Sequence, residues 1–154
     1  MSQHLKIRHN IAGSYRRGKP ISKDIDLIVK HKPFTYESST QLINKINQND
    51  KFKIIHTYMQ GPYKMGVILQ DCKSLTNYKM DIFAATDNYI FMLLFATGSG
   101  EFNIKMRAIA KHKNMLLNQH GLFSVSSNNR IKVKNEKELF KILNIDYVGP
   151  QDRN

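Results

Sequence analysis

Gly13-Ser14-Tyr15-Arg16-Arg17-Gly18, followed by Asp24-Ile25-Asp26-Leu27-Ile28-Val29, is the stretch that decides the fold. The first block reads as a strand end, a glycine turn and the start of a short helix. The second reads as a strand that opens on two aspartates. Side chains two apart on a strand point the same way, so Asp24 and Asp26 share one face. Carboxylates held that close repel each other unless a cation sits between them, and hard divalent ions such as Mg²⁺ take such oxygen ligands. The Gly-Ser turn offers backbone N–H groups at a helix N-terminus, a ready anion site, and Arg17 adds a forked, charge-assisted grip on phosphate. Metal carboxylates beside a phosphate cradle imply a nucleotide site. The competing reading of the same residues is an exposed turn before an acidic strand start.

The whole chain points the same way. Its 154 residues suffice for one ordinary core or for two small subdomains. A formal net charge of +12 favours polyanionic partners, nucleic acid or an acidic membrane surface. No apolar run approaches the length of a spanning helix, and the polar start Met1 to Asn10 has no signal-peptide core, so nucleic acid is preferred over membrane. The single Cys72 excludes an internal disulfide and fits a reducing, intracellular setting; it reads as a small hydrophobe in or near a strand. The histidines show no ligand-like spacing with cysteine, so no zinc site is inferred.

Working outward, residues 5–12 alternate as a short strand running into the Gly13 turn. Lys30 to Pro33 is a basic loop, and Ser38 or Ser39 can cap a helix with Leu42, Ile43 and Ile46 on one side. Strand patterns follow over Phe52–Met59, Val67–Leu69 and Tyr78–Phe83, with a Gly61-Pro62 turn. Asp81 is bracketed by Met80 and Ile82, so its side chain faces opposite to theirs. Taken alone, an isolated strand aspartate is more simply solvent-facing. Tyr89 to Ala96 is apolar nearly all round, as in a buried helix, and Ser99 caps the next helix. There Phe102, Met106 and Ile109 form one face, with Asn103 and Arg107 on a neighbouring stripe. Leu116 to Phe123 reads as a hairpin, Ile131–Val133 as a further strand and Glu136–Leu143 as a short helix.

The Gly-Ser turn followed by Asp-x-Asp resembles the nucleotidyltransferase signature, and Arg16-Arg17-Gly18 after the turn narrows the resemblance to family X DNA polymerases, the group of DNA polymerase beta. Phe95-Ala96-Thr97-Gly98-Ser99 with Phe102-Asn103 and Met106-Arg107-Ala108 is similar to the family's Tyr-Phe-Thr-Gly-Ser…Phe-Asn…Met-Arg-Ala segment. Tyr147…Pro150-Gln151-Asp152-Arg153 is similar to its ending. The resemblance spans nearly the whole chain from Gly13. Twelve residues precede Gly13, so the amino-terminal lyase domain and helix-hairpin-helix motifs of beta-type members are not expected, and the chain resembles the minimal viral palm-plus-thumb members.

The resemblance implies an α+β fold: a mixed-sheet nucleotidyltransferase palm over residues 1–97 and a thumb-like nucleotide- and template-binding subdomain over 98–154. It implies template-directed addition of a deoxynucleotide to a primer 3′-OH in short-gap repair. Asp24, Asp26 and Asp81 would be the catalytic metal ligands for two Mg²⁺ ions, with Mn²⁺ able to substitute. Gly13, Ser14, Arg17, Phe95, Ala96, Gly98 and Asn103 would bind the nucleotide, and Lys64, Lys79 and Arg107 the DNA. The implied partners are gapped or primed DNA and a deoxynucleoside triphosphate, with no membrane, acting as a monomer in the nucleus or at viral DNA. Ala96 stands where the family has an aromatic that buttresses the sugar-discriminating segment, so weakened preference for deoxynucleotides is expected. The alternatives are a nucleotidyltransferase that needs no template or acts on RNA ends, and a non-catalytic basic module that binds nucleic acid by charge.

Overall fold

The computed structural model describes residues 7–154. They form two compact units: residues up to Ile11 with Ile21–Thr86, and Ala12–Pro20 with Asp87–Asn154. The fold class is the expected α+β with a mixed sheet. Of the strand expected over residues 5–12, residues 5 and 6 lie outside the described residues; the rest contains β1, His9–Ile11. No described helix is long and apolar enough to cross a membrane.

The first unit is built on a five-stranded sheet. β1 is joined by β2 (Asp24–Lys30), β3 (Phe52–Gln60), β4 (Lys64–Asp71) and β5 (Asn77–Ala85), in the order β1-β2-β5-β4-β3. β2 and β5 run parallel; the other pairings are antiparallel. Strand alternation gives the sheet two unlike faces. Leu27 and Val29, Met65, Val67 and Leu69, and Met80, Ile82 and Ala84 form one face. They are buried with Phe34 and with Leu42 and Ile46 of α2 (Tyr36–Ile46). The opposite parity carries Asp24, Asp26, Lys64, Gly66, Lys79 and Asp81. α2 starts earlier than the expected Ser38 or Ser39 cap. Thr35 is the N-cap, its hydroxyl accepts from the Ser38 N–H, and the Ser38 hydroxyl accepts from the Thr35 N–H. Ser38 is thus the third helical position of a reciprocal capping box, a place sequence alone confuses with the cap.

The second unit contains the one-turn helix α1 (Gly13–Arg16), then α3 (Tyr89–Thr97), α4 (Gly100–His112), strands β6 (Met115–Asn118), β7 (Gly121–Ser124) and β8 (Arg130–Ile131), and α5 (Glu136–Ile142). The three strands form an antiparallel sheet in chain order. As expected, α3 is apolar around its circumference and Ser99 caps α4, accepting from the Phe102 N–H. Phe91, Leu94, Met106, Ala110, Leu117, Leu122, Leu139, Phe140 and Leu143 make the core. A short 3₁₀ turn, Pro150–Asp152, leads to Arg153, whose side chain is wholly buried.

Candidate active site

Asp24, Asp26 and Asp81 come together on the polar face of the first unit's sheet. β2 and β5 pair with Asp26 opposite Asp81 and Asp24 opposite Lys79. Neighbouring strands lie about 4.8 Å apart, so this register sets the carboxylates side by side. Burial, then the charges of Asp81 and Asp24, push the Asp26 carboxyl above its usual range, against the opposing pull of Lys64 and Lys79. An ionised group that its surroundings disfavour is poised to accept a cation.

Asp81 is already occupied. Tyr58 donates a hydrogen bond from its hydroxyl to Asp81 Oδ1, and Lys64 Nζ lies 3.0 Å from Oδ2. Burial and this hydrogen bond raise the Tyr58 phenol, so it remains a donor through the neutral range. The Tyr58 ring crosses β4 at Gly66, where a Cβ would sit 2.2 Å from Tyr58 Cε2. Only glycine leaves room for it. Lys79 Nζ sits 5.5 Å from the same ring's centroid. Among the described residues, no three His, Cys, Asp or Glu side chains converge as metal ligands. The donor set nevertheless suits Mg²⁺: three hard carboxylates on one face, one of them penalised for its charge.

The second unit holds the Gly13 turn. α1 is a single turn, so any anion it binds depends on local amides and on arginine rather than on a long helix dipole. The two arginines have separated tasks. Arg16 donates to both oxygens of Glu136, at 2.8 and 3.1 Å, and to Thr97 Oγ1. Arg17 donates from Nη1 to the Thr97 carbonyl at 2.6 Å, while its buried Nε has no hydrogen-bond partner among the described residues. Gly98 lets this happen: its φ of +66° lies in the left-handed region, and a Cβ there would meet Arg17 Nη1 at 3.3 Å. Gly13 is buried and Ser14 half-buried in α1.

The Phe95 segment is held from α4. Asn103 Nδ2 donates to the Phe95 carbonyl at 2.9 Å, and the Arg107 guanidinium lies 5.6 Å from the Phe95 ring centroid. With Phe91, Leu94 and Met106 these residues line a small cavity. Ala96 is only half-buried, while Phe91 and Met92 are buried beside it in sequence.

Sequence reading missed four partners in these groups. Tyr58 lies where the β3–β4 register shifts between Thr57 and Met59, so strand parity does not tell where it points. Gly66 is meaningful only once Tyr58 crosses it. Glu136 reads only as a helix start, and Arg153 stands in the motif at the end of the resemblance without any sign of its partner.

The comparisons identify the family to which this architecture belongs. Residues 2–87 match the DNA polymerase beta palm and residues 92–154 the DNA polymerase beta thumb. The chain therefore belongs to family X of the DNA polymerases, the DNA polymerase beta group. Relatives include DNA nucleotidylexotransferase of Xenopus laevis, 27% identical over 94% of this chain and 36% of that protein. DNA polymerase lambda of Rattus norvegicus is 29% identical over 92% of this chain and 28% of that protein. Repair DNA polymerase X of African swine fever virus is 29% identical over 92% of this chain and 78% of that protein. The chain thus spans about a third of the length of the vertebrate relatives. A ternary complex of Leishmania infantum polymerase beta has the same fold, with a TM-score of 0.77, 23% identity and coverage of 96% of this chain and 67% of that one.

Proposed function

We propose that the protein adds a deoxynucleotide to a primer 3′-OH opposite a template, filling short gaps in DNA. The observation that carries this reading is the pairing of Asp26 with Asp81 beside Asp24 on one sheet face. Two Mg²⁺ ions at these carboxylates, or Mn²⁺ in their place, would lower the pKa of the attacking hydroxyl and offset the triphosphate charge. The 3′-oxygen bonds to the α-phosphorus, the bond to the bridging oxygen breaks, and pyrophosphate leaves. Asp81 is the proposed acceptor of the hydroxyl proton.

Lys64 and Lys79 are assigned to primer phosphates. A phosphate that draws Lys64 away would release Asp81 Oδ2, linking primer arrival to completion of the carboxylate set. Ser14, Arg17 and the amides around Gly13 are assigned to the β- and γ-phosphates. Arg17 suits this because it has a buried donor, Nε, without a hydrogen-bond partner among the described residues. Phe95, Ala96, Gly98 and Asn103 are assigned to the sugar and base, and Arg107 to the template side. The functional division into a palm (1–97) and a nucleotide- and template-binding subdomain (98–154) belongs to this proposal, as do monomeric action and a place at nuclear or viral DNA.

The nucleotidylexotransferase relatives favour a second reading, addition to a primer end without a template. Mg²⁺-dependent extension across a one-nucleotide gap, compared with extension of a single-stranded primer, separates the two. Asp81→Ala should abolish extension while gapped-DNA binding survives. Near-normal turnover in that variant would overturn the carboxylate assignment, and gapped-DNA binding without any extension by the unaltered protein would leave only a basic binding module.

A further inference from the structure

The segment from Arg130 to Lys134 reads Arg-Ile-Lys-Val-Lys, and its burial alternates with its chemistry. Arg130, Lys132 and Lys134 are exposed, while Ile131 and Val133 are half-buried against the second unit's core. A fully extended chain advances about 6.6–6.8 Å every two residues, so the three cations are spread over at most about 13 Å. The row begins on β8, an edge strand of its sheet. With Asp87 and Phe91 it lines a cleft of about 390 Å³.

The cations are not spent on acidic neighbours. Among the described residues, none of the three takes part in an ion pair. Glu136, the acid nearest to Lys134 in sequence, is held by Arg16 and Arg153, and Glu138 accepts the Lys134 backbone N–H at its Oε2. Among the described residues, Asp87 is the one acidic residue lining the cleft. The Arg130 guanidinium lies over the buried Phe91 ring, 5.9 Å from its centroid, which limits the positions open to it. None of these cations is among the residues assigned above to the nucleotide or the DNA.

We propose that Arg130, Lys132 and Lys134 form an additional contact for nucleic acid, gripping the phosphate backbone without reading bases. Each strand of a duplex presents one charge about every 3.4 Å of axis, so the row can face roughly four phosphates. A lipid surface fits less well, because Ile131 and Val133 point inward and leave no apolar anchor between the cations. The contact rests on charge, spacing and exposure, and it stands whether or not the protein extends a primer.

The test is the salt dependence of equilibrium binding to a short gapped duplex, read by fluorescence anisotropy without nucleotide. Arg130→Ala, Lys132→Ala and Lys134→Ala together should lower the slope of log K against log salt by about 2–3, at roughly 0.9 per phosphate contact. A second triple variant, Lys105→Ala, Lys111→Ala and Lys137→Ala, removes the same charge elsewhere on the unit and should lower it by less than about 1. Thermal midpoint and far-ultraviolet circular dichroism establish that both are folded. Should the triple variant unfold, Lys132→Glu alone provides the test, with a slope loss of about 1 expected. An unchanged slope, or equal losses in both triple variants, would overturn the proposal. So would DNA binding left intact while binding to vesicles of anionic lipid is lost.

Discussion

In the first unit, Asp24, Asp26 and Asp81 stand on one sheet face with two lysines near them; in the second, Glu136 is clasped by two arginines. Both groups are clusters of carboxylate and cation, yet they are built to opposite ends. Glu136 accepts from Arg16 and from Arg153, whose Nη2 lies 2.8 Å from Oε2. Arg153 also donates from Nε to the Val148 carbonyl and lies among the rings of Phe102, Phe140 and Tyr147. Burial alone would raise the Glu136 carboxyl, but the Arg153 and Arg16 hydrogen bonds prevail and hold it below its usual range. That cluster is satisfied, and it ties α1, α5 and the chain end together. The sheet cluster is the reverse: burial and the charges of Asp81 and Asp24 push Asp26 up, outweighing the pull of Lys64 and Lys79. Carboxylates perturbed in this way cluster at functional sites, and that contrast supports the proposed metal site.

The contrast breaks most sharply at Glu136. Glu136→Gln keeps the shape but leaves Arg153 buried without its counter-charge, and removing one partner of such a pair costs about 3–5 kcal/mol. Asp26→Asn removes a repelled charge and should leave the unfolding free energy unchanged or raised. Urea unfolding of both variants checks this. Equal losses would erase the distinction between the two clusters.

Gly66→Ala probes how the sheet cluster is arranged. Its Cβ would strike the Tyr58 ring, which must swing away and take its hydroxyl off Asp81, at a cost of about 1–3 kcal/mol. Equilibrium unfolding that matched the unaltered protein would show that the ring has room to move.

Acid titration in the presence of a chelator sharpens the comparison further. Glu136 is depressed in the fold, so its stabilisation is present above its unfolded pKa near 4.5 and is lost as pH falls through the folded value. Asp26 is raised, so its penalty is full above the folded pKa and disappears as pH falls toward 3.8. Stability against pH should therefore be shallower in acid for Glu136→Gln and steeper for Asp26→Asn. Each change amounts to at most about 1.4 kcal/mol per pH unit for one proton. Identical acid limbs would contradict the opposite signs.

The smallest effect belongs to Tyr58→Phe. The ring still covers Gly66 and only the hydroxyl is lost from a partly exposed site, so about 1 kcal/mol or less is expected in the same unfolding measurement. A loss matching Gly66→Ala would mean that the hydrogen bond, not the packing, holds the ring.

By itself the sequence determined the local pieces. Strand period put Asp24 and Asp26 on one face, the apolar circumference of Tyr89–Thr97 made a buried helix, and Ser99 capped the next one, because each depends on neighbours a few residues away. The order of motifs carried the family. Only the tertiary structure decided the register that sets Asp26 beside Asp81, since a one-residue slip would turn every side chain of a strand to the other face. It also decided which arginine of the Arg16-Arg17 pair is structural: Glu136, 120 residues away, claims Arg16. Tyr58 and Gly66 became a pair only when a shifted register laid one over the other. Such contacts join residues far apart in the chain, and no periodicity within either segment encodes where the other will lie.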